Sequence, residues 1–256
     1  DPKLAGRRVV GELHASCGHC IYCRTGRPTH CSSRRVLGMH QKDGCFGEYM
    51  TIDTKLLHVV PDGLATKAAI YTEPLAAAFE IMTQVTLTPE KNVAILGDGR
   101  LSYCVAQAMN AVGKEVVVIG KHPEKLKLFE PFAQVSTNWE KEGYEIVVEA
   151  TGSPSGIRQA LEMVRKKGTI VLKSTYAGET TLPMSLIAVN EISIVGSRCG
   201  PFAPALEALA SGKAVFPDIT LFELAQYKEA FAYEGFKAGF LITKPLTRQN
   251  ERKDDK

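Results

Sequence analysis

Long apolar runs are missing from this sequence. The longest, such as Glu115 to Gly120 and Glu145 to Ala150, have the length of a strand, far below the ~20 residues that a membrane-spanning helix needs. A surplus of one charge is missing as well: 31 basic side chains face 28 acidic ones, a net charge of +3. With no basic stripe and no aromatics interleaved with one, the electrostatic footprint of a nucleic-acid binder is excluded. Internal repeats and low-complexity segments are absent, which excludes a solenoid or an array. No initiator methionine, signal or transit pattern opens the chain, and Asp1 leads directly into the strand-like Arg7-Arg8-Val9-Val10. The start therefore reads as a chain whose natural beginning is missing, and no cellular address follows from it. What is present is a globular composition. Of the 256 residues 45% are hydrophobic, enough for a sizeable core.

A disulfide framework is also lacking. Of seven cysteines, four crowd into fifteen residues (Cys17, Cys20, Cys23 and Cys31), while Cys45, Cys104 and Cys199 are scattered. That distribution points to metal binding in the cytoplasm or another reducing compartment. The spacing C-x2-C-x2-C-x7-C suits zinc, which prefers tetrahedral thiolate coordination. Four thiolates fill the coordination sphere and leave no position for water or substrate, so such a site is structural. An iron–sulfur cluster and free thiols are the competing readings; His19 and His30, inside the loop, are read as solvated bystanders.

The chain separates into four regions. Residues 1–75 are short β segments that contain the cysteine cluster, and residues 76–196 alternate strands with helices. Residues 197–245 hold two helical stretches, Ala203 to Ser211 and Leu221 to Tyr233, before a last strand, Ala238 to Ile242. Residues 246–256 are a polar tail with nothing to bury. All-apolar strands alternating with helices mark an α/β fold with a doubly wound parallel sheet covered on both faces. Within it, Gly97-Asp98-Gly99-Arg100-Leu101-Ser102 lies between the buried strand Asn92 to Leu96 and a helix carrying Leu101, Val105, Ala108, Met109 and Val112 at helical spacing. In that context the glycines form a dinucleotide fingerprint. Gly97 permits the tight turn, Gly99 lets the backbone approach a pyrophosphate, and the helix start offers free N–H groups. Ser102 replaces the third glycine, which predicts strain rather than loss of the site. A glycine turn that no longer binds anything is the bland alternative.

The next strand ends Ile119-Gly120-Lys121-His122. An acid that would pair with a ribose 2′-hydroxyl is usual at this place. Gly120 leaves it empty and the cation Lys121 follows, which favours a 2′-phosphate and hence NADP(H) over NAD(H). The alternative is that Lys121 is only a solvated helix-start charge.

Four stretches in order carry a family resemblance. The cysteine spacing resembles the structural-zinc lobe of the medium-chain dehydrogenase/reductase superfamily, zinc-type alcohol dehydrogenase-like branch. Asp43-Gly44-Cys45-Phe46-Gly47-Glu48-Tyr49, Leu57 to Gly63 and Thr72-Glu73-Pro74-Leu75-Ala76 resemble three further segments of that family. The resemblance implies a Rossmann nucleotide-binding domain joined to a partial GroES-like β-barrel domain. It implies that Thr151, Gly152, Ser174 and Thr175 line the nicotinamide side of the cleft. It also implies a second, catalytic zinc, whose Lewis acidity stabilises a bound alkoxide while hydride passes to the nicotinamide. Glu73 matches one of its ligands; an acid placed beside a helix start is the competing reading. The matching Cys and Gly-His-Glu have no counterpart here, so catalytic residues are expected in a missing N-terminal segment and the 256 residues are expected to be inactive. The partners implied are a small alcohol or carbonyl substrate and a second copy of the chain, as a homodimer or homotetramer pairing near Ile192 to Gly196. Two other readings stay open: a zinc-free quinone or enone reductase, against which the cysteine lobe and Glu73 argue, and a non-catalytic pseudoenzyme or scaffolding subunit.

Overall fold

A computed structural model describes residues 2–242, so the polar tail at 246–256 lies outside the described residues. The chain divides into two compact units, Asp1–Val60 with Pro217–Lys256, and Pro61–Phe216.

The second unit is built on a six-stranded sheet. Its strands are β1 (Val93–Leu96), β2 (Val117–Ile119), β3 (Gln134–Ser136), β4 (Tyr144–Glu149), β5 (Val164–Leu172) and β6 (Ser193–Gly196). Their order is β6-β5-β4-β1-β2-β3, and every neighbouring pair is parallel. This is the doubly wound order that sequence alternation implies. The central strands are apolar because helices cover both their faces: Val93 to Leu96, Val147, Val148, Ile170 and Val171 are all buried. Helix α1 (Thr72–Gln84) packs against α2 (Arg100–Ala111) and α6 (Phe202–Ala210). That packing moves the unit boundaries from the 75/76 and 196/197 that the sequence suggests to 60/61 and 216/217. Helix α2 is more deeply buried than its apolar spacing predicts, with Ser102 through Met109 all inside, while Val112, on the expected stripe, is exposed. Short helices α3 (Pro123–Leu126) and α5 (Met184–Val189) and the longer α4 (Pro154–Met163) complete the crossovers.

Register decides where a ligand can meet this sheet. Leu96 pairs with Ile119 and Glu149, Glu149 with Leu172, and Leu172 with Gly196. Five strands therefore end level, and their next residues, Gly97, Gly120, Ala150, Lys173 and Ser197, form one rim. Each continues the ladder by one bond; Gly97 N–H donates to the Ile119 carbonyl at 2.8 Å, and Ser197 N–H to that of Leu172 at 3.0 Å.

The first unit is made of two-stranded pairs. Val9–Gly11 runs antiparallel to Leu57–Val59, and His14–Ala15 to Arg35–Val36. The helix expected over Leu221 to Tyr233 is only partly one. Thr220–Glu223 is a strand, parallel to Ala238–Leu241, and the α-helix begins at Tyr227. The β-branched Thr220 and the aromatic Phe222 suit a strand. The Gln226 side chain then turns the chain by accepting from the Glu223 N–H at 2.9 Å.

Candidate functional site

The four cysteines come together. Their sulfurs lie within 4.8 Å of one another, the single group of three or more metal-ligating side chains among the described residues. Zinc–sulfur bonds of ≈ 2.3 Å in a tetrahedron require sulfurs about 3.8 Å apart. Cys20 and Cys23 Sγ stand 3.5 Å apart and Cys17 and Cys23 Sγ 4.0 Å, on either side of that value. Backbone N–H groups aim at the sulfurs from outside: Cys17 N–H and Ser33 N–H donate to Cys31 Sγ, each at 3.3 Å, and Cys20 N–H to Cys17 Sγ at 3.4 Å. Such donors favour thiolates. The backbone at Cys23 and Ser32 draws the Cys20 thiol down to about 6, whereas desolvation and its thiol neighbours push Cys23 up to about 11. A cation among the four sulfurs relieves that conflict, so the donor set fits zinc. His19 turns its Nδ1 to the Cys17 carbonyl, 2.9 Å away, instead of joining the sulfurs.

In the other unit, a cleft of ≈ 550 Å³ opens at the rim of the sheet, lined among others by Gly97, Asp98, Gly99, Gly120, Lys121, His122, Lys125 and Thr151. Gly97 has φ +122°, and a Cβ there would stand 2.7 Å from the Ala150 carbonyl oxygen, so only glycine makes this turn. At Gly99 a Cβ would meet nothing within 4 Å, so the space beside the start of α2 is open. Arg100 is exposed and Leu101 half-buried at the first turn of that helix. Ser102 is fully buried without disturbing the helix, its hydroxyl 3.5 Å from the Ala150 carbonyl. Thr151 donates through N–H and Oγ1 to Glu149 Oε1, at 2.9 and 2.6 Å. Gly152 N–H donates to Ser174 Oγ at 2.8 Å, tying the loops after β4 and β5 together, with Thr175 exposed beside them.

The place that Gly120 leaves empty in sequence is filled in the fold. Asp98, read in sequence only as a turn residue, sends its carboxylate across to the end of β2. There Oδ2 accepts from Lys121 N–H at 2.7 Å and His122 N–H at 2.9 Å, and lies 3.0 Å from His122 Nδ1. Burial would raise this carboxyl, but the N–H groups of His122 and Lys121 outweigh it and hold it below the usual range.

Glu73 lies in the first turn of α1, and no second cluster of three ligating groups includes it among the described residues. Catalytic zinc needs about three protein ligands, so Glu73 by itself does not constitute a metal site. Sequence patterns missed the lysine nearby. Lys173, at the end of β5, is buried, with Nζ donating to the Ala77 carbonyl at 2.6 Å and to Ser197 Oγ at 3.2 Å. It ties α1 to the ends of β5 and β6. Burial lowers its ammonium to about 8, against the pull of Glu80, Cys199 and Glu73.

A parallel sheet in this order, with a glycine turn at its rim and a four-thiolate lobe elsewhere in the same chain, defines a dehydrogenase fold of the zinc-containing kind. Comparison with known proteins agrees. Residues 3–62 match the model for the alcohol dehydrogenase GroES-like domain, and residues 101–211 that for zinc-binding dehydrogenases. A zinc-type alcohol dehydrogenase-like protein of Haemophilus influenzae is 30% identical over 229 residues, 83% of this chain and 67% of that one. A sorbitol dehydrogenase of Halalkalibacterium halodurans is 28% identical over 94% of this chain and 76% of its own length. A Sinorhizobium meliloti structure, described as a zinc-binding dehydrogenase and solved with NADP, superposes with a TM-score of 0.81 at 23% identity, over 92% of this chain and 76% of that one. The chain belongs to the zinc-type, NAD(P)-dependent alcohol dehydrogenase family of oxidoreductases.

Two outcomes follow. The purified chain should hold one zinc, measured by mass spectrometry of the metal, and Cys20→Ser or Cys31→Ser should lose it together with thermal stability. Iron with visible charge-transfer absorption, or a metal-free chain that melts no lower than the zinc-loaded one, would contradict the assignment. For Lys173, a folded-state value below the ordinary 10.5 means that the unfolded chain binds the more protons between about pH 8 and pH 10.5. Stability therefore rises with pH through that window. Urea unfolding should show this rise shrinking in Lys173→Met; equal pH slopes in the two proteins would contradict it.

Proposed function

We propose that the protein transfers hydride between a small alcohol or polyol and a nicotinamide dinucleotide, with NADP(H) favoured over NAD(H). The observation that carries this reading is the level rim of the sheet, where a steric demand for glycine at Gly97 adjoins open space at Gly99. The pyrophosphate is assigned to Gly99, Arg100 and Leu101, where the first N–H groups of α2 have no carbonyl partner within the helix. Lys121 and Lys125 supply the positive charge that favours a 2′-phosphate, with His122 beside them in the same cleft. Thr151, Gly152, Ser174 and Thr175 are assigned to the nicotinamide end, outside the carboxyl ends of the strands. The nicotinamide supplies the hydride chemistry when bound; the chain's part is to orient it and exclude water.

The cysteine lobe is a structural zinc site, and its role is to hold a loop rather than to touch substrate. Glu73 joins no group of three ligating side chains among the described residues, so the chain is proposed to bind cofactor without turning over alcohol. The same observation favours a second reading, a non-catalytic subunit that retains the nucleotide fold. Self-association, as a homodimer or homotetramer, is proposed through β6, an end strand of the sheet that carries the exposed Ile194. No described helix is long and apolar enough to cross a membrane.

Fluorescence titration of the chain should give a lower Kd for NADPH than for NADH, and a tighter grip on NADH would overturn the preference. Zinc-dependent oxidation of an alcohol such as sorbitol, followed by NADPH absorbance, should be undetectable with these residues alone. Measurable turnover would overturn the proposed silence and remove the second reading.

A further inference from the structure

We propose that Asp98 is the specificity-determining residue of the cleft, reading the 2′ position of the adenosine ribose with a carboxylate supplied from the first glycine turn. It rests on the nucleotide-binding reading above, but not on which dinucleotide is preferred.

Three observations support it. First, the carboxylate occupies the place of a strand-end acid although it comes from a different strand's loop. A Cβ on residue 120 would stand 2.6 Å from Asp98 Cβ and 2.7 Å from Oδ2. Gly120 is thus the steric counterpart of Asp98, and no side chain at 120 can coexist with it in this geometry. Second, the two N–H groups that open the turn after β2 are already used. Those of Lys121 and His122 donate to Asp98 Oδ2, so an incoming phosphate finds an internal anion in its most favourable backbone seat. Third, the same cleft wall carries Lys121, His122 and Lys125. A fixed negative charge therefore sits beside Lys121 and Lys125, the cations that a 2′-phosphate would use.

The chemical consequence is a balance. A ribose 2′-hydroxyl can donate a hydrogen bond to the carboxylate, which has lone pairs beyond those that the two N–H groups occupy. A 2′-phosphate can donate nothing when ionised, and it meets the carboxylate as a like charge. The lysines pull toward NADP(H) and Asp98 pulls toward NAD(H). The net preference is their difference.

Asp98→Asn tests this with little change in shape. The amide oxygen can still accept from the turn, while the charge is gone. Kd values for NADPH and NADH are measured by fluorescence titration on wild type and variant, with thermal melting to confirm folding, and Lys121→Ala is run as the opposite arm. Asp98→Asn should shift the ratio of the two Kd values toward NADPH by about tenfold, the order expected for one nearby charge partly exposed to water. Lys121→Ala should shift it the other way. A ratio that moves by less than about threefold, or toward NADH, in Asp98→Asn overturns the proposal. So does an equal loss of both nucleotides, which would make Asp98 a clamp of the turn and nothing more. If wild type binds neither nucleotide, the cleft itself has been misread and both proposals fall; a wild type that binds with an unmoved ratio sinks this one alone.

Discussion

The nucleotide half of this molecule depends on one close approach. At Gly97 the chain leaves β1 with φ +122°, and a side chain there would run into the carbonyl of Ala150 and the hydroxyl of Ser102. Because no such side chain exists, the ends of β1 and β4 stay adjacent and α2 starts directly above them. The sheet's register then sets Gly120, Ala150, Lys173 and Ser197 on the same level. Loops leaving a level rim converge, and convergence makes a cleft. The hydrogen bond from Gly152 N–H to Ser174 Oγ and the reach of Lys173 to Ser197 hold three of those loops in place.

The smaller unit is held together differently. Its buried hydrophobic residues among those described are few: Cys31, Val36, Leu56, Val60, Ile219 and Ala230. Two-stranded pairs with so little core are marginal in water, and a metal that binds only the folded arrangement adds its binding free energy to folding. A zinc held by the four sulfurs would therefore staple a region where burial is scarce. The spacing of the four cysteines resembles that of the family, and the proposed hydride transfer is assigned to the other unit's rim.

Much of this was legible in sequence. Strand–helix alternation and the all-apolar strands reported the parallel sheet, since burial on both faces leaves no polar alternation to misread. Cysteine spacing reported the lobe, because one ion draws ligands from a short loop. Less was legible where a role depends on a partner far away in sequence. Gly120 looked like a vacancy because the acid filling it, Asp98, belongs to another strand's loop 22 positions earlier; its bonds to Lys121 and His122 are made only when β1 and β2 lie side by side. Lys173 likewise looked like an ordinary lysine at a strand end, and its burial follows from α1 packing over the rim. The stretch from Leu221 to Tyr233 misled for another reason. Helical spacing of its apolar residues was present, but pairing with Ala238–Leu241 claimed the first residues for a strand.

A crystal structure of the zinc-loaded chain grown with NADPH would test the central claim most directly. The pyrophosphate should then lie over Gly99 at the amino end of α2, the adenosine ribose against Asp98, and the nicotinamide toward Thr151 and Ser174. Nucleotide bound away from the glycine turn, or a cleft left empty at saturating NADPH, would contradict it.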